Sequence, residues 1–339
     1  MGRGAVVLAL LGACGGAPAA AGDAGAPDAA SASEAGPDVV LPPNPIVVVT
    51  GASYPYGVGV DDQYVYFTSP TDGTLARAPK LGGAPEVLAT GMVSPHRLAL
   101  DDAFVYVVVT GTPDLYLDGQ IVRIPKSGGA VQTLATGLHL ASGLALDDGD
   151  VYFVASGTVT GGHYEGDGVL ARVKKDGSAP FETLLAAEDY PALVTLDAGH
   201  VYWTARFSGL VVRCDKADCK STRTPLYGGL DEPVGIAVAG STLVFAEYHG
   251  SRILAGGVDG AGLFTMASSR GMPLDLVTDG TTAYWGEELT RQISFEPIQP
   301  YLLWATLATA DKDPTCLALD AHAVYVTDEA AGTITRVPR

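Results

Sequence analysis

The chain has 339 residues, with 38 Asp or Glu against 20 Lys or Arg, and its formal net charge is −18 at pH 7. Nucleic acid and anionic membrane surfaces are disfavoured as partners, because both repel a strongly acidic protein. A chain of this length can bury a large hydrophobic core.

The N-terminal segment has the features of an export signal. An apolar run from Ala5 to Leu11 leads into Leu-Gly-Ala-Cys, which ends at Cys14. The run is too short to span a bilayer, which favours a signal peptide over a transmembrane helix. The segment resembles a bacterial lipoprotein signal, which implies that residues 1–13 are removed and that Cys14 carries the lipid. By the same resemblance, Gly15 rather than Asp after the cysteine implies the outer membrane of a Gram-negative cell envelope.

Residues 14–42 are predicted to form a flexible linker. This segment is rich in Ala, Gly, Pro, Ser and Asp, and it has no aromatic residue and no base. Its acids are Asp23, Asp28, Glu34 and Asp38. Such a composition cannot bury enough apolar surface to fold.

One phrase then recurs seven times between Gly57 and Asp328. It consists of a short apolar run ending in Asp, a turn of two or three residues, and a second run built on Val-Tyr. The anchor positions are 40 to 50 residues apart and are Asp61, Asp101, Asp147, Asp197, Ala239, Asp279 and Asp320. Two further apolar stretches follow in each copy, as in segments 73–79 and 86–90. Four short strands per repeat of this length predict an all-β, seven-bladed β-propeller.

The two ends of the repeat region predict how the ring closes. The seventh copy stops at Arg339 after its third strand, and an unattached strand of the fourth type, 46–51, precedes the first copy. The simplest arrangement adds this N-terminal strand to the last blade, which removes an exposed sheet edge. The propeller is therefore expected to span residues 43–339 as one domain.

Two of the remaining cysteines lie close together in the chain. Cys214 and Cys219 flank a predicted hairpin turn in blade 4, where a disulfide can form if their Cα atoms lie within about 7 Å. An oxidising compartment favours this bond, and a zinc site would need two more ligands, which the nearby sequence does not supply. Cys316 is expected to be a small buried residue at the start of an inner strand.

The aromatic strand carries a family resemblance. Segments such as 201–204 (Val-Tyr-Trp-Thr) and 324–328 (Val-Tyr-Val-Thr-Asp) resemble the Tyr-Trp-Thr-Asp repeats of receptor and bacterial propellers. The chain departs from that pattern because the fourth-position Asp survives only at Asp328 and because it has seven copies where the receptor propellers have six blades. This likeness to YWTD/NHL-like propellers implies a fold but not a function.

Strand order predicts where a binding site would lie. The first strands begin, and the second strands end, on the same face of the propeller, around the mouth of the channel. Second strands of blades 5, 6 and 7 end in Glu247, Glu287 and Asp328, next to His249, Glu288 and Glu329. An oxygen-rich cluster suits Ca²⁺, so these three carboxylates are candidate metal ligands. The alternative is that they are solvated or bonded to nearby backbone.

Other candidate ligand-binding residues map to the same face. His96, Arg97 and Asp275 lie where first strands begin, and the long connections 110–118 and 156–167 overhang the mouth. The second connection contains His163 and Tyr164. Long loops at a propeller mouth often form the wall of a site, although tolerated surface insertions would look the same.

No enzyme motif is present: the sequence has no Gly-x-Ser-x-Gly elbow, phosphate loop, HExxH or Cys-x-x-Cys. We therefore expect a lipid-anchored, non-catalytic binding or scaffold module whose partner is an envelope protein or a small molecule. The alternative is a metal-dependent lyase or lactone hydrolase. It would use the three carboxylates as ligands and His96 or His249 as general base.

Overall fold

The computed structural model describes residues 45–113, 116–160, 163–299 and 304–339. Seven antiparallel, four-stranded sheets form a seven-bladed propeller, which confirms the predicted all-β fold. The predicted signal peptide, the lipid-bearing Cys14 and the linker lie outside the described residues and stay predictions. Within the described ranges, no helix is long and apolar enough to cross a membrane.

Each blade runs outward from the channel in chain order. Blade 1 contains β2 (Val58–Val60), β3 (Tyr64–Ser69), β4 (Thr74–Pro79) and β5 (Glu86–Ala89). Blade 2 contains β6 (Pro95–Leu100), β7 (Phe104–Val109), β8 (Gly119–Pro125) and β9 (Gln132–Leu138). Blade 3 contains β10 (Ala141–Leu146), β11 (Asp150–Ala155), β14 (Gly168–Lys174) and β15 (Glu182–Glu188). A two-stranded ribbon of β12 (Val159–Thr160) and β13 (His163–Tyr164) rises from the long connection of blade 3.

Blade 4 contains β16 (Pro191–Leu196), β17 (His200–Ala205), β18 (Leu210–Asp215) and β19 (Thr224–Tyr227). Blade 5 contains β20 (Pro233–Ala239), β21 (Thr242–Glu247), β22 (Arg252–Gly257) and β23 (Phe264–Ala267). Blade 6 contains β24 (Pro273–Thr278), β25 (Thr282–Glu287), β26 (Gln292–Pro297) and β27 (Ala305–Thr309). A one-turn helix, α1 (Cys219–Thr222), precedes β19.

Blade 7 is closed by the N-terminal strand, as predicted. It consists of β28 (Pro314–Leu319), β29 (Ala323–Asp328), β30 (Thr333–Pro338) and, as the outer strand, β1 (Ile46–Val49). The two ends of the described chain therefore meet in one sheet. Val48 and Val49 are 3% and 2% exposed and contribute to the core between blades 7 and 1.

The repeated Asp holds its own turn and also contacts the next blade. The carboxylate of Asp101 accepts hydrogen bonds from two backbone N–H groups of its turn and from the hydroxyl of Tyr106. It also lies 2.9 Å from Nζ of Lys175 in blade 3. Burial alone would raise the pKa of Asp101, but Lys175 and the N–H donors hold it below its usual value. Equivalent pairs join Asp61 to Lys126, Asp147 to Lys216, Asp279 to Arg339 and Asp320 to Lys80.

This ring of ion pairs is interrupted around blade 5. Blade 5 has Ala239 in place of the Asp, and the corresponding cationic position of blade 6 is Ile298, so both members of the pair are apolar. In blade 4, Asp197 keeps its place and contacts Nδ1 of His200 at 3.1 Å, while the cationic position of blade 5 is Val258. Because Ala239 and Ile298 are both apolar, the interface between blades 5 and 6 has no unpaired charge at these two positions.

The predicted disulfide is present. Cys214 in β18 and Cys219 in α1 are bonded, with Cα atoms 4.8 Å apart. The bond closes the hairpin turn of blade 4. Cys316 is buried in β28, as expected.

Candidate functional site

Two rings of equivalent residues line the channel mouth. One ring is the residue just before each first strand, and the other is the residue just after each second strand. In blades 2 to 7 the backbone N–H of the second residue donates to the carbonyl of the first, as from Arg206 to Tyr190 at 3.0 Å and from Tyr248 to Glu232 at 3.0 Å. This bond holds the backbones of the two residues side by side at the same end of the blade.

The residues before the first strands share an unusual backbone conformation. In blades 2 to 6 this residue has a positive φ between 48° and 58°, as does Tyr54, which lies four residues before β2; the five are Ser94, Leu140, Tyr190, Glu232 and Met272. Left-handed backbone is uncommon for non-glycine residues. Because it recurs around the ring, it belongs to the turn that starts each blade rather than to one site.

The two halves of the mouth differ in chemistry. In blades 2 and 3 the paired residues are Ser94 with Thr110 and Leu140 with Ser156. Blades 4 to 7 carry charged and aromatic residues at all of these positions except Met272, in the pairs Tyr190–Arg206, Glu232–Tyr248, Met272–Glu288 and Asp313–Glu329. We call these eight residues the blade 4–7 half of the mouth.

The predicted metal ligands Glu247, Glu287 and Asp328 do not converge on the mouth. They are 0%, 0% and 3% exposed, and no three acidic, histidine or cysteine side chains among the described residues are placed to hold a metal ion. Strand geometry explains the difference, because successive side chains of a strand point to opposite faces. The strand-final carboxylates turn into the blade, and the residues that reach the rim are the next ones, Tyr248, Glu288 and Glu329.

Each of these three carboxylates instead binds the chain of its own blade. Glu247 accepts the backbone N–H of Asp231, Glu287 that of Gly271, and Asp328 those of Lys312 and Asp313. They thereby fix the connection that leads into the first strand. These contacts match the backbone-bonded alternative considered for them, and the three-carboxylate calcium site stays a prediction for which the described residues offer no three-ligand group.

The channel itself is crossed by an ion pair between two candidates. Arg97 of blade 2 and Asp275 of blade 6 approach to 3.5 Å, and they are 1% and 0% exposed. Asp275 also accepts the backbone N–H of Leu317 in blade 7. Since blades 2 and 6 are not neighbours, this contact joins opposite sides of the ring.

His96 lies beside this pair, against Tyr56. The two rings meet edge to face with centroids 4.5 Å apart, and His96 is 8% exposed. Its Nδ1 is 3.0 Å from the carbonyl oxygen of Ser94, which can only accept, so Nδ1 carries the proton and Nε2 keeps a lone pair. Burial lowers the pKa of His96 to about 4, and the charge of Arg97 acts in the same direction. His96 is therefore neutral at pH 7 and a weak base.

The other predicted loop residues lie at the rim of blades 3 and 4. His163 is exposed, whereas Tyr164 contacts the rings of Tyr190 and Phe207 at 4.5 and 4.6 Å between centroids. Phe207 is 42% exposed and lies over Tyr190 at 4.8 Å. The long connection of blade 3 thus completes an aromatic cluster that blade 4 begins.

Arg206 connects this aromatic cluster to the acidic part of the mouth. Its guanidinium lies 5.5 Å from the ring of Phe207 and 5.4 Å from that of Tyr248, and its Nη2 is 2.5 Å from Glu232. The other oxygen of Glu232 is 3.0 Å from Nδ1 of the exposed His249. The charges of Arg206 and Glu232 are therefore already matched inside the protein.

The acids of blades 6 and 7 have no such partner. Glu288, Asp313 and Glu329 are half-buried, and no cationic nitrogen of the described chain lies within salt-bridge distance of them. The hydroxyl of Tyr248 donates to Glu288 at 2.7 Å. Burial raises the pKa of Glu329 to about 7, and the charges of Asp313 and Glu288 add to the effect.

Sequence reasoning missed Tyr190, Arg206, Phe207, Glu232 and Tyr248. Three of them immediately follow a second strand or come one residue later, and two immediately precede the Pro that starts a first strand. The proline at the start of most first strands could have located these positions, because it aligns the repeats with one another residue by residue. The sequence analysis placed the last residue of each second strand at the rim, whereas the residue after it lies there.

Glu296 is a buried acid outside the mouth. It is 1% exposed, its Oε2 has no hydrogen-bond partner among the described residues, and its place is taken in other blades by apolar residues such as Ala78 and Ile124. Burial raises the pKa of Glu296 to about 7, opposed by the charge of Arg270. Because the folded pKa exceeds the unfolded value, its contribution to stability is complete in acid and is lost as pH rises through 7.

Glu296→Gln is expected to leave the free energy of unfolding unchanged at pH 4.5 and to raise it at pH 8 by about 2 kcal/mol. Urea denaturation at the two pH values measures the difference. Glu165→Gln, at an exposed position, is the matched control and should show no pH-dependent gain. Equal stability of Glu296→Gln and the parent at pH 8 would contradict the prediction.

No protein-family model and no curated protein matches the chain. Among solved structures, virginiamycin B lyase from Staphylococcus aureus superposes with a TM-score of 0.71 at 17% identity, over 87% of this chain and 98% of the lyase. A streptogramin B lyase gives 0.68 at 15% identity, over 86% and 96%. A chain of the nidogen/laminin complex gives 0.51 at 19% identity, over 66% and 91%. At these identities the comparisons show a shared propeller fold, in the class to which the YWTD/NHL-like repeats pointed.

Proposed function

We propose that this protein is a non-catalytic binding module of the bacterial cell envelope, held there by a lipid on Cys14. Its ligand face is the blade 4–7 half of the mouth. The observation that carries the proposal is the uneven composition of the rim. Positions that hold Thr and Ser in blades 2 and 3 hold Arg, Tyr, Glu and Glu in blades 4 to 7.

The blade 4–7 half also has exposed apolar side chains beside its charged ones. Phe207 is 42% exposed and Leu289, next to Glu288, is 71% exposed. Exposed apolar side chains grouped with fixed polar residues are a common feature of binding surfaces.

Ligand-induced stabilisation tests this proposal. Compounds that bind are expected to raise the melting temperature of the protein, by an amount equivalent to about 2.7 kcal/mol at 100 times the Kd. The rise should disappear in Phe207→Ala/Glu288→Gln and persist in Leu81→Ala/Asp102→Asn, a matched variant on the opposite face. Compounds that stabilise both variants equally would place binding elsewhere.

A metal-dependent lyase is the second candidate, favoured by the superposition on the two lyases. A catalytically inactive histidine-to-alanine variant of the Staphylococcus aureus lyase has been solved with quinupristin. Incubation of the present protein with quinupristin and Mg²⁺ or Ca²⁺ is expected to leave the compound intact. Consumption that is lost in His96→Ala would favour the lyase over the binding module.

A further inference from the structure

We propose that the ligand of the blade 4–7 half of the mouth is an organic cation, namely an ammonium ion attached to an apolar or aromatic group. This inference rests on the proposed function and names the chemistry of its ligand. Its ammonium group would be bound by Glu288 and Glu329, and its apolar group would lie against Phe207.

The charges at the rim are unequally compensated. Arg206 is matched by Glu232 at 2.5 Å, and Arg97 is matched by Asp275 at 3.5 Å. The cations near the mouth are therefore engaged, while the carboxylates of Glu288 and Glu329 have no cationic partner within the described chain. A bound cation would relieve their mutual repulsion, whereas a bound anion would add to it.

A chain of contacts links Glu288 to the aromatic cluster through Tyr248 and Arg206. The ring of Tyr248 lies against Arg206 on one side, and its hydroxyl reaches Glu288 at 2.7 Å on the other. Arg206 in turn faces Phe207, whose ring is held by Tyr164 and Tyr190 and is 42% exposed. A flat apolar group resting on Phe207 would have its charged end directed along Tyr248 to the acids. Aromatic faces also attract cations directly.

A buried histidine adds an acceptor to the same mouth. His96 is 8% exposed and its Nε2 keeps a lone pair, and no hydrogen-bond partner of Nε2 occurs among the described residues. Its ring contacts Tyr56 edge to face, with centroids 4.5 Å apart, at the start of blade 1. The groups of the mouth that remain available are thus acceptors. They select a ligand that donates hydrogen bonds, as an ammonium ion does.

Three probes of equal size separate charge from shape: 2-phenylethylamine, 2-phenylethanol and phenylacetate. Calorimetric titration of the protein at pH 8 and constant ionic strength is expected to show saturable binding of the amine and at least tenfold weaker binding of the alcohol and the acid. Glu288→Gln/Glu329→Gln should weaken amine binding at least tenfold. Asp62→Asn/Asp102→Asn, which removes two exposed charges on the opposite face, should not.

A single substitution tests the same site in case the double variant does not fold. Phe207→Ala, at an exposed position, is expected to weaken amine binding, and Leu81→Ala on the opposite face is its control. Binding of the alcohol or the acid as tight as that of the amine would overturn the proposal, as would amine binding that survives loss of both carboxylates, or no binding of any probe.

The result that would reject the binding module differs from the one that would reject a cationic ligand. Binding of the neutral or anionic probe that is lost in Phe207→Ala would keep the mouth as the ligand face and reject only the cation. A compound screen that finds no mouth-dependent ligand of any charge would reject the binding module itself.

Discussion

A chain lacking residues 45–51 is expected to lose cooperative folding of the ring. Deletion removes β1, exposes the hydrogen-bonding edge of β30 and uncovers the core between blades 7 and 1. Burial of Val48 and Val49 alone stabilises the fold by about 3 to 6 kcal/mol, which is a large part of the free energy of unfolding of an ordinary domain. Thermal unfolding followed by circular dichroism should show a lower and broader transition, and the open edge should promote self-association.

Two controls separate closure from mere shortening. A chain that begins at Pro45 should melt like the parent. Within β1, Val49→Ala should cost about 2 kcal/mol because it opens a cavity. Val47→Ala should cost under about 0.5 kcal/mol, because Val47 is 46% exposed. An unchanged transition in the deleted chain would show that β1 does not hold the ring closed.

Arg97→Met is expected to destabilise the protein by about 3 to 5 kcal/mol. The substitution leaves the carboxylate of Asp275, which is 0% exposed, without the guanidinium that lies 3.5 Å away. Unpaired buried charge costs far more than the pair contributes, because desolvation is no longer offset. Equilibrium denaturation in urea measures the loss.

The double variant Arg97→Met/Asp275→Asn should regain a substantial part of that stability, since the buried charge is removed with its partner. Lys174→Met is the surface control. Lys174 pairs with Asp150 at 3.0 Å but is half exposed, so its loss should cost less than about 1 kcal/mol. Equal stability losses in Arg97→Met and Lys174→Met would show that the cross-channel pair is no stronger than a surface one.

The candidate site was predicted only in part, and the errors have identifiable causes. Topology assigned His96, Arg97, Asp275 and Tyr164 to the mouth, because the order of strands fixes which ends meet at one face. Glu247, Glu287 and Asp328 were misplaced, because sequence locates strand ends only to within one or two residues. In a strand, an error of one residue exchanges the buried face for the exposed one.

The sequence by itself determined the architecture of this protein. The seven-fold repeat, the N-terminal strand that completes blade 7 and the Cys214–Cys219 disulfide all follow from local patterns, since each blade is specified by its own residues. Only the tertiary structure decided which charges are compensated. The partners of Arg97, Arg206 and Glu287 come from other blades or from the turn before the strand, and no local spacing encodes those distances. The chemistry of the mouth therefore depends on long-range contacts, although the fold itself is determined by the pattern of each repeat.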